Sequence, residues 1–383
     1  MAIRFFIIEM FIEVHDDVLR KALKPSDNDN EQAVEALRHL LWSIRRNRHL
    51  IFFPSLSQSY IDRLGEILNS NEIIAISHSF SKRQDLRSIS GLLRFRVIVS
   101  FEIETKRIGD VIQINPRTNK SFELFEECHL LTENILDAEF YKYFAIAYQK
   151  KNRINECAFQ TCYYSLQGGG ATTKQVFLYE CKLGHHLCLA ILDSDKKWPS
   201  YNGYGPTAQS LIDEYNTLNG GLTCHYYVMN ETNEVENLIP IEIMNVFSTS
   251  KQKLFLSTYP AALPWFDFKK GLEYRLLYDK DEAFNEWKKV FTTIDWARLA
   301  NLKSSSSGVD EFLSVVNKNG FQPIVEPWGA SLLENVLYPS KHRYKYNLKT
   351  VDIDRLSESQ KKEWLAIGSL IFNWCCCFGR KIF

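Results

Sequence analysis

The segment HLLTENILDAEFYKYF, residues 129–144, joins a short apolar run to a helical run at a point marked by two acids. HLLTE (129–133) has the composition of a buried strand, and the apolar residues of AEFYKYFAIAYQKK (138–151) recur at helical spacing. Glu133 ends the strand, and Asp137 follows one helical turn later. A solvated helix scatters acids over its outer face, so this pair at a strand-to-helix junction indicates a functional edge of a sheet.

The alternation of strand and helix continues beyond this segment. Strands are predicted at 159–166, 187–195 and 223–229, and helices at 172–184 and 207–218. Strands separated by helices of this length imply right-handed crossovers and a mainly parallel sheet. In such a sheet, functional residues gather at the carboxyl ends of the strands.

A chain of 383 residues is long for one hydrophobic core and suggests several domains. Residues 1–120 are predicted to form a small N-terminal α/β domain for partner binding or regulation. The clearest helix predicted in this domain spans residues 30–48, and Asn30 could cap it. Residues 121–275 contain the parallel sheet, and residues 276–383 are predicted to be mostly helical. The predicted fold class is α/β, with a central, mainly parallel sheet flanked by helices.

The composition argues against several classes of protein. Lys plus Arg and Asp plus Glu both number 46, so no global basic field indicates a nucleic-acid binder. Nine cysteines without regular spacing do not form a secreted disulfide framework, which favours a reducing, cytoplasmic location. The apolar run 364–378 is too short to span a bilayer comfortably and predicts a buried helix that contains the cysteines 375–377. No membrane association is expected.

Two further groups of acids follow predicted strands. Asp193 and Asp195 end the apolar run LCLAILDSD, and residues two apart in an extended segment point the same way. Glu234 and Glu236 follow the strand at 223–229. An aspartate-rich turn, and a solvated edge strand or helix start, are the plainer interpretations. Like charges so close together are unfavourable unless a cation or a raised pKa relieves them, and Mg²⁺ takes oxygen ligands of this kind. The acids together suit a one- or two-metal phosphoryl-transfer site: Glu133, Asp137, Asp193, Asp195, Glu234 and Glu236.

These elements resemble the Toprim fold of topoisomerases, primases and certain nucleases. The resemblance rests on Glu133 after a first strand, the glycines 168–170 after a second, and Asp193 with Asp195 after a third. Asp137 and the segment EVEN (234–237) are similar to features of the overcoming-lysogenization-defect nucleases and of related Toprim effectors of anti-phage systems. The resemblance spans roughly residues 122 to 275.

The resemblance implies a nuclease that cleaves DNA or tRNA with two Mg²⁺ or Mn²⁺ ions. Glu133, Asp193 and Asp195 would be catalytic metal ligands, and Asp137, Glu234 and Glu236 would support the second ion. Lys269, in preference to Lys270, would stabilise the phosphate charge, although a solvated turn is the plainer interpretation of that pair. The turn formed by Gly168, Gly169 and Gly170 would let the substrate backbone approach. The chain has no phosphate-binding loop of the G-x-x-x-x-G-K-[ST] type, so it would be either a stand-alone nuclease or one governed by a separate regulatory partner, such as an ATPase or a retron complex.

A basic, aromatic stretch, KHRYKYNLK (341–349), is a second candidate for nucleic-acid binding. Cationic groups for phosphate and rings for base stacking are what single strands require. An edge strand that uses lysine against aggregation is the alternative interpretation. The residues concerned are Lys341, Arg343, Tyr344, Lys345 and Tyr346.

The spacing of Cys181, His185, His186 and Cys188 admits a zinc site, but these residues straddle a helix end and a strand start, so their side chains are expected to diverge. Two functions remain as alternatives to the nuclease. One is a non-catalytic subunit that binds a partner or nucleic acid and keeps a Toprim-like sheet, and the other is a nucleotidyltransferase or phosphatase. An oligomer is possible in each case.

Overall fold

The structure is a computed structural model that describes residues 9–118, 122–161, 163–198, 200–218, 221–273, 286–287, 323–339 and 346–378. The chain divides into two compact units that are interleaved in sequence. The first unit comprises residues 1–191, 211–227 and 365–383, and the second comprises residues 192–210 and 228–364. Each unit is described by itself.

The first unit begins with a five-stranded sheet of order β2-β1-β3-β5-β4. Strands β1, β2, β3 and β5 run parallel, and β4 pairs antiparallel with β5. The strands are β1 (Glu9–Val14), β2 (His49–Phe52), β3 (Arg96–Val99), β4 (Lys106–Ile108) and β5 (Val111–Ile114). The helices between them are α1 (Asp16–Ala22), α2 (Asn30–Arg46), α3 (Gln58–Leu64), α4 (Ser70–Ser81) and α5 (Arg83–Ser90).

Helix α2 confirms the predicted helix at 30–48. Its apolar positions recur at helical spacing and are buried, and it ends where Asn47 takes a left-handed conformation with φ of 58°. The prediction that Asn30 caps this helix is wrong. Its side-chain amide instead donates 2.9 Å hydrogen bonds to the carbonyls of Lys21 and Ala22, which joins α2 to the end of α1.

A second sheet of the first unit has the order β10-β9-β6-β8. Strand β6 lies parallel to β8 on one side and to β9 on the other. The sequence of elements is β6 (His129–Thr132), α6 (Ile135–Lys151), β8 (Tyr164–Gln167), α7 (Thr173–Leu183), β9 (Cys188–Leu192), α8 (Pro206–Thr217) and β10 (Cys224–Val228). The predicted α/β class is confirmed by these parallel strands and their connecting helices.

The strand predicted at 159–166 is two strands in two different sheets. Strand β7 (Phe159–Thr161) pairs antiparallel with β13 (Cys376–Phe378), whereas β8 belongs to the second sheet. Phe159 and Phe378 stack on each other in the buried cluster that also contains Phe11 and Leu50. The cysteine run is buried as expected, but the helix α12 (Glu358–Cys375) ends at its first member and the other two lie in β13.

The described part of the second unit is built from short elements. These are α9 (Ile241–Met244), α10 (Ser250–Thr258), the antiparallel pair β11 (Leu272–Glu273) and β12 (Pro323–Val325), α11 (Leu332–Leu337) and the first half of α12. Phe255, Phe266, Phe268 and Trp328 pack edge to face or tilted in its core. In the described ranges, no helix is long and apolar enough to cross a membrane.

Candidate active site

The acids after β9 lie on a turn of the second unit. Strand β9 ends at Leu192, and Asp195 has a left-handed backbone with φ of 53°. The expectation that 187–195 is extended throughout is therefore wrong, and the alternation rule does not set the directions of Asp193 and Asp195. Asp193 is buried, whereas Asp195 is exposed.

The backbone of Asn233 holds this turn in place. Its carbonyl accepts hydrogen bonds from the backbone N–H groups of Ser194 and Asp195, at 3.0 and 3.1 Å. The Ser194 hydroxyl donates to the carbonyl of Thr232 at 2.6 Å. Because Glu234 follows Asn233 directly, these bonds bring the backbone of the Asp193–Asp195 turn beside the backbone that carries Glu234.

Glu234 and Glu236 lie on either side of one lysine. The Lys269 ammonium is 3.0 Å from Oε2 of Glu234 and 3.0 Å from Oε2 of Glu236. Both glutamates are buried, so the interpretation as a solvated edge strand is wrong for them. The alternative of a helix start is confirmed, because Glu234 is the N-cap of a 3₁₀ helix that begins at Val235. Within the described residues, Oε1 of Glu234 is buried without a hydrogen-bond partner. Lys269 therefore neutralises only part of the charge of this pair.

The ionisation of these three groups is strongly perturbed. Burial, together with the charge of Glu236, raises the pKa of Glu234 to about 8. Burial also raises the pKa of Glu236, against the opposing effect of Lys269. Burial alone would lower the pKa of Lys269, but the two carboxylates outweigh it and raise that pKa. Asp193 adds to this increase, so it lies within electrostatic range of the ammonium.

Asn237 shapes the glutamate turn and was not among the predicted residues. Its Oδ1 accepts from the backbone N–H of Glu234 at 2.9 Å, and its Nδ2 donates to the carbonyls of Leu263 and Phe266 at 2.7 and 2.8 Å. This amide fixes the turn that carries Glu234 and Glu236 to the segment that leads to Lys269. In the sequence, this asparagine is the last residue of the segment EVEN and directly follows the second glutamate.

Gly205 is a second residue that the sequence analysis missed. Its N–H donates to the carbonyl of Ser194 at 2.8 Å, and a Cβ at this position would overlap the side chain of Asp195 far inside van der Waals contact. Gly205 thus allows the acidic turn to pack against the chain that follows it.

We expect Gly205→Ala to lower the free energy of unfolding by about 1–3 kcal/mol, as overpacking does, since the new methyl must displace Asp195 or the backbone. Urea denaturation would measure the change. Gly91→Ala is the matched control, because Gly91 has an αR backbone and a Cβ there meets nothing within 4 Å. Equal stability of Gly205→Ala and the native chain would contradict this description of the turn.

The remaining predicted acids belong to the first unit. Glu133 is half-buried at the end of β6, and its carbonyl accepts from the N–H of Gly169 at 3.0 Å. Asp137 is buried and takes part in a capping box, in which its Oδ2 accepts from the N–H of Asn134 at 2.8 Å. Asp137 thus has a structural role at the start of α6.

The three glycines after β8 are explained by the turn itself. A Cβ on Gly168 would overlap Thr173, and Gly169 and Gly170 have positive φ angles of 69° and 64°. Their N–H groups include two that donate to the ends of β6, from Gly168 to the carbonyl of Thr132 and from Gly169 to that of Glu133. The hydrogen bonds between β6 and β8 therefore continue into this turn.

The predicted basic stretch lies mostly outside the described residues, which include neither Lys341, Arg343, Tyr344 nor Lys345. Tyr346 is described, and its hydroxyl donates to the carbonyl of Val336 at 2.7 Å while its ring meets Phe247 edge to face. This tyrosine is packed within the second unit.

No protein-family model, no curated protein and no solved structure matches this chain.

Proposed function

We propose that the chain is a divalent-metal-dependent nuclease of Toprim type that cleaves phosphodiester bonds in DNA or tRNA, as an effector of anti-phage defence. The observation that carries the proposal is the cluster in the second unit, where a turn with two aspartates is hydrogen-bonded to a turn with two buried glutamates. One lysine ammonium lies between the glutamates at 3.0 Å from each. Buried carboxyl groups with perturbed pKa values cluster at functional sites, and a bound cation would relieve their repulsion.

The chemistry of the side chains suits a hard cation such as Mg²⁺ or Mn²⁺. The four predicted acids that lie in the second unit offer oxygen ligands, and Oε1 of Glu234 is buried with no hydrogen-bond partner among the described residues. Asp193, Asp195, Glu234 and Glu236 would hold the metal, which supplies charge stabilisation and an activated water to phosphoryl transfer. Lys269 would share its charge between Glu236 and the phosphate that gains charge in the transition state. Glu133 is included among the proposed catalytic residues because of the Toprim resemblance.

The order of elements in the first unit also supports the proposal. Glu133 follows β6 and the glycine turn follows β8, and these two strands are parallel neighbours. Carboxylates after adjacent parallel strands are where catalytic groups of such sheets are found.

The proposal is tested by incubating the purified protein with plasmid, single-stranded DNA and total tRNA, in Mg²⁺, Mn²⁺ or EDTA. We expect cleavage of at least one polymer in metal, none in EDTA, and strongly reduced cleavage by Glu133→Ala, because that residue is the first acid of the resemblance. Glu242→Gln, which changes an exposed glutamate of the second unit, is the control. Cleavage that persists in EDTA, or an unchanged rate in Glu133→Ala, would contradict the proposal.

A second candidate function is a non-catalytic subunit that binds a partner or nucleic acid. It is favoured by two observations: Lys269 neutralises part of the glutamate pair, and the carboxylate of Asp137 caps a helix. On this alternative the acids need no metal, and the thermal unfolding of the protein would not respond to Mg²⁺ or Mn²⁺.

A further inference from the structure

A cluster of two histidines and a glutamate lies in the first unit, apart from the acids considered above. Nδ1 of His129 is 3.0 Å from Oε2 of Glu180, and Nδ1 of His186 is 3.6 Å from the same oxygen. The two imidazole rings stack with centroids 4.1 Å apart. One ligand atom from each of the three side chains lies within 4.8 Å of the others.

Three different elements bring these side chains together. His129 is the first residue of β6, Glu180 lies on α7, and His186 lies two residues before β9. The N–H of His129 donates to the carbonyl of Leu187 at 2.7 Å, which fixes the starts of β6 and β9 side by side. The cluster therefore lies at the amino ends of these strands, whereas Glu133 follows the carboxyl end of β6.

We propose that His129, Glu180 and His186 bind a transition-metal ion of the zinc class. Ligands at roughly 2.0–2.2 Å from a tetrahedral Zn²⁺ lie about 3.3 Å from one another, and the two nitrogen–oxygen distances of 3.0 and 3.6 Å bracket this value. Two imidazoles and one carboxylate suit Zn²⁺, Co²⁺ or Ni²⁺, whereas Mg²⁺ is taken by oxygen ligands. Within the described residues, the buried Nδ1 of His186 has no hydrogen-bond partner.

A pocket beside the histidines provides room for a fourth ligand. It has a volume of about 220 Å³ and is lined by His129, His186, Tyr164, Glu126, Glu127 and Arg48. Arg48 forms ion pairs with Glu126 and, at 3.0 Å, with Glu127. Three protein ligands with an open side are the arrangement that leaves one coordination position for water or a small ligand. The ion would tie β6, α7 and the start of β9 together.

The neighbouring His185 provides a matched control. Its Nδ1 lies 2.6 Å from Glu123, so it makes a different ion pair from that of His186. The side chains of His185 and His186 therefore diverge, as expected for these two members of the group Cys181, His185, His186 and Cys188. This divergence also means that replacing His185 removes a histidine from the same segment without removing a ligand of the proposed site.

The test measures metal binding by protein that has been dialysed against EDTA and then freed of it. We expect one Zn²⁺ per chain from competition with a chromogenic chelator, in the presence of excess Mg²⁺, and visible absorption of bound Co²⁺. His186→Ala should weaken binding by at least about tenfold, since even partners beyond the ligands affect affinity by 10–100-fold. His185→Ala should bind as the native chain does.

Glu180→Gln is the second variant, for use if His186→Ala does not fold, and circular dichroism checks both. Asp193→Asn should keep its Zn²⁺, which separates this site from the proposed nuclease site. The proposal is wrong if the native chain binds no stoichiometric Zn²⁺, because the three side chains then form an ion-pair cluster only. It is equally wrong if His186→Ala and Glu180→Gln bind as well as the native chain, or if His185→Ala loses binding to the same degree.

Discussion

Replacing Asp193 with asparagine should lower metal-dependent cleavage by about 10²–10³-fold, the loss expected when one charge-stabilising group is removed from a transition state. Asp193 is buried directly after β9 and contributes to the raised pKa of Lys269. Asparagine preserves the volume and removes the negative charge, so the fold should be retained while the affinity for a divalent cation falls.

Initial rates on whichever polymer the native protein cuts would measure this effect, and calorimetry with Mg²⁺ would measure the loss of metal binding. Glu242→Gln is again the control, because it removes one exposed carboxylate from the same unit. A fully active Asp193→Asn variant would exclude this residue as a metal ligand and would remove the main support for the proposed function.

Replacing Lys269 with methionine should destabilise the protein in a pH-dependent way. The change leaves Glu234 and Glu236 buried without their ammonium partner. Loss of one member of a buried ion pair commonly costs 3–5 kcal/mol, but 37% of the Lys269 side chain is exposed and solvent screens it, so we expect about 1–3 kcal/mol at alkaline pH.

The sign of the pH dependence follows from the raised pKa of Glu234. Its pKa is about 8 in the folded protein against an ordinary value of 4.5, so the folded state holds a proton that the unfolded state releases. The stability from this group is fully present below pH 4.5 and is lost as the pH rises through 8. In EDTA the free energy of unfolding should therefore fall across this window, and more steeply in Lys269→Met.

Lys270→Met is the matched control for this measurement. Lys270 is 75% exposed and pairs with Asp267 at 2.8 Å, so its removal should change the stability by less than about 0.5 kcal/mol. Urea denaturation at several pH values between 5 and 9, with EDTA or with Mg²⁺, would measure both variants. Equal pH profiles for Lys269→Met and Lys270→Met would show that the ammonium does not stabilise the glutamate pair.

Local periodicity and composition were sufficient to predict the α/β class and several elements. The helix at 30–48 was predicted because its apolar face is determined by residues within the helix itself. The strands that became β6, β9 and β10 were predicted because they are short apolar runs bounded by turn residues. The acids after β9 and β10 were identified for the same reason, since strand ends can be located from composition.

Features that depend on distant residues could not be predicted in this way. The run 159–166 divides into two strands because β7 pairs with β13, whose residues lie more than 200 positions away. The left-handed conformation of Asp195 depends on hydrogen bonds to Asn233 and on the space that Gly205 leaves. Sequence spacing does not reveal the proposed zinc-class site, because His129 precedes Glu180 and His186 by more than 50 positions and only the fold brings the three together.

The late position of α12 and β13 has a consequence for how the protein is made. Phe372, Cys376 and Phe378 complete the buried cluster that Phe11 and Leu50 begin. A ribosome therefore has to synthesise the entire second unit before the residues that close the core of the first unit are available. During that interval the nascent chain presents apolar surface to the cell, and the time spent in this state makes the unfinished protein a natural client for chaperones.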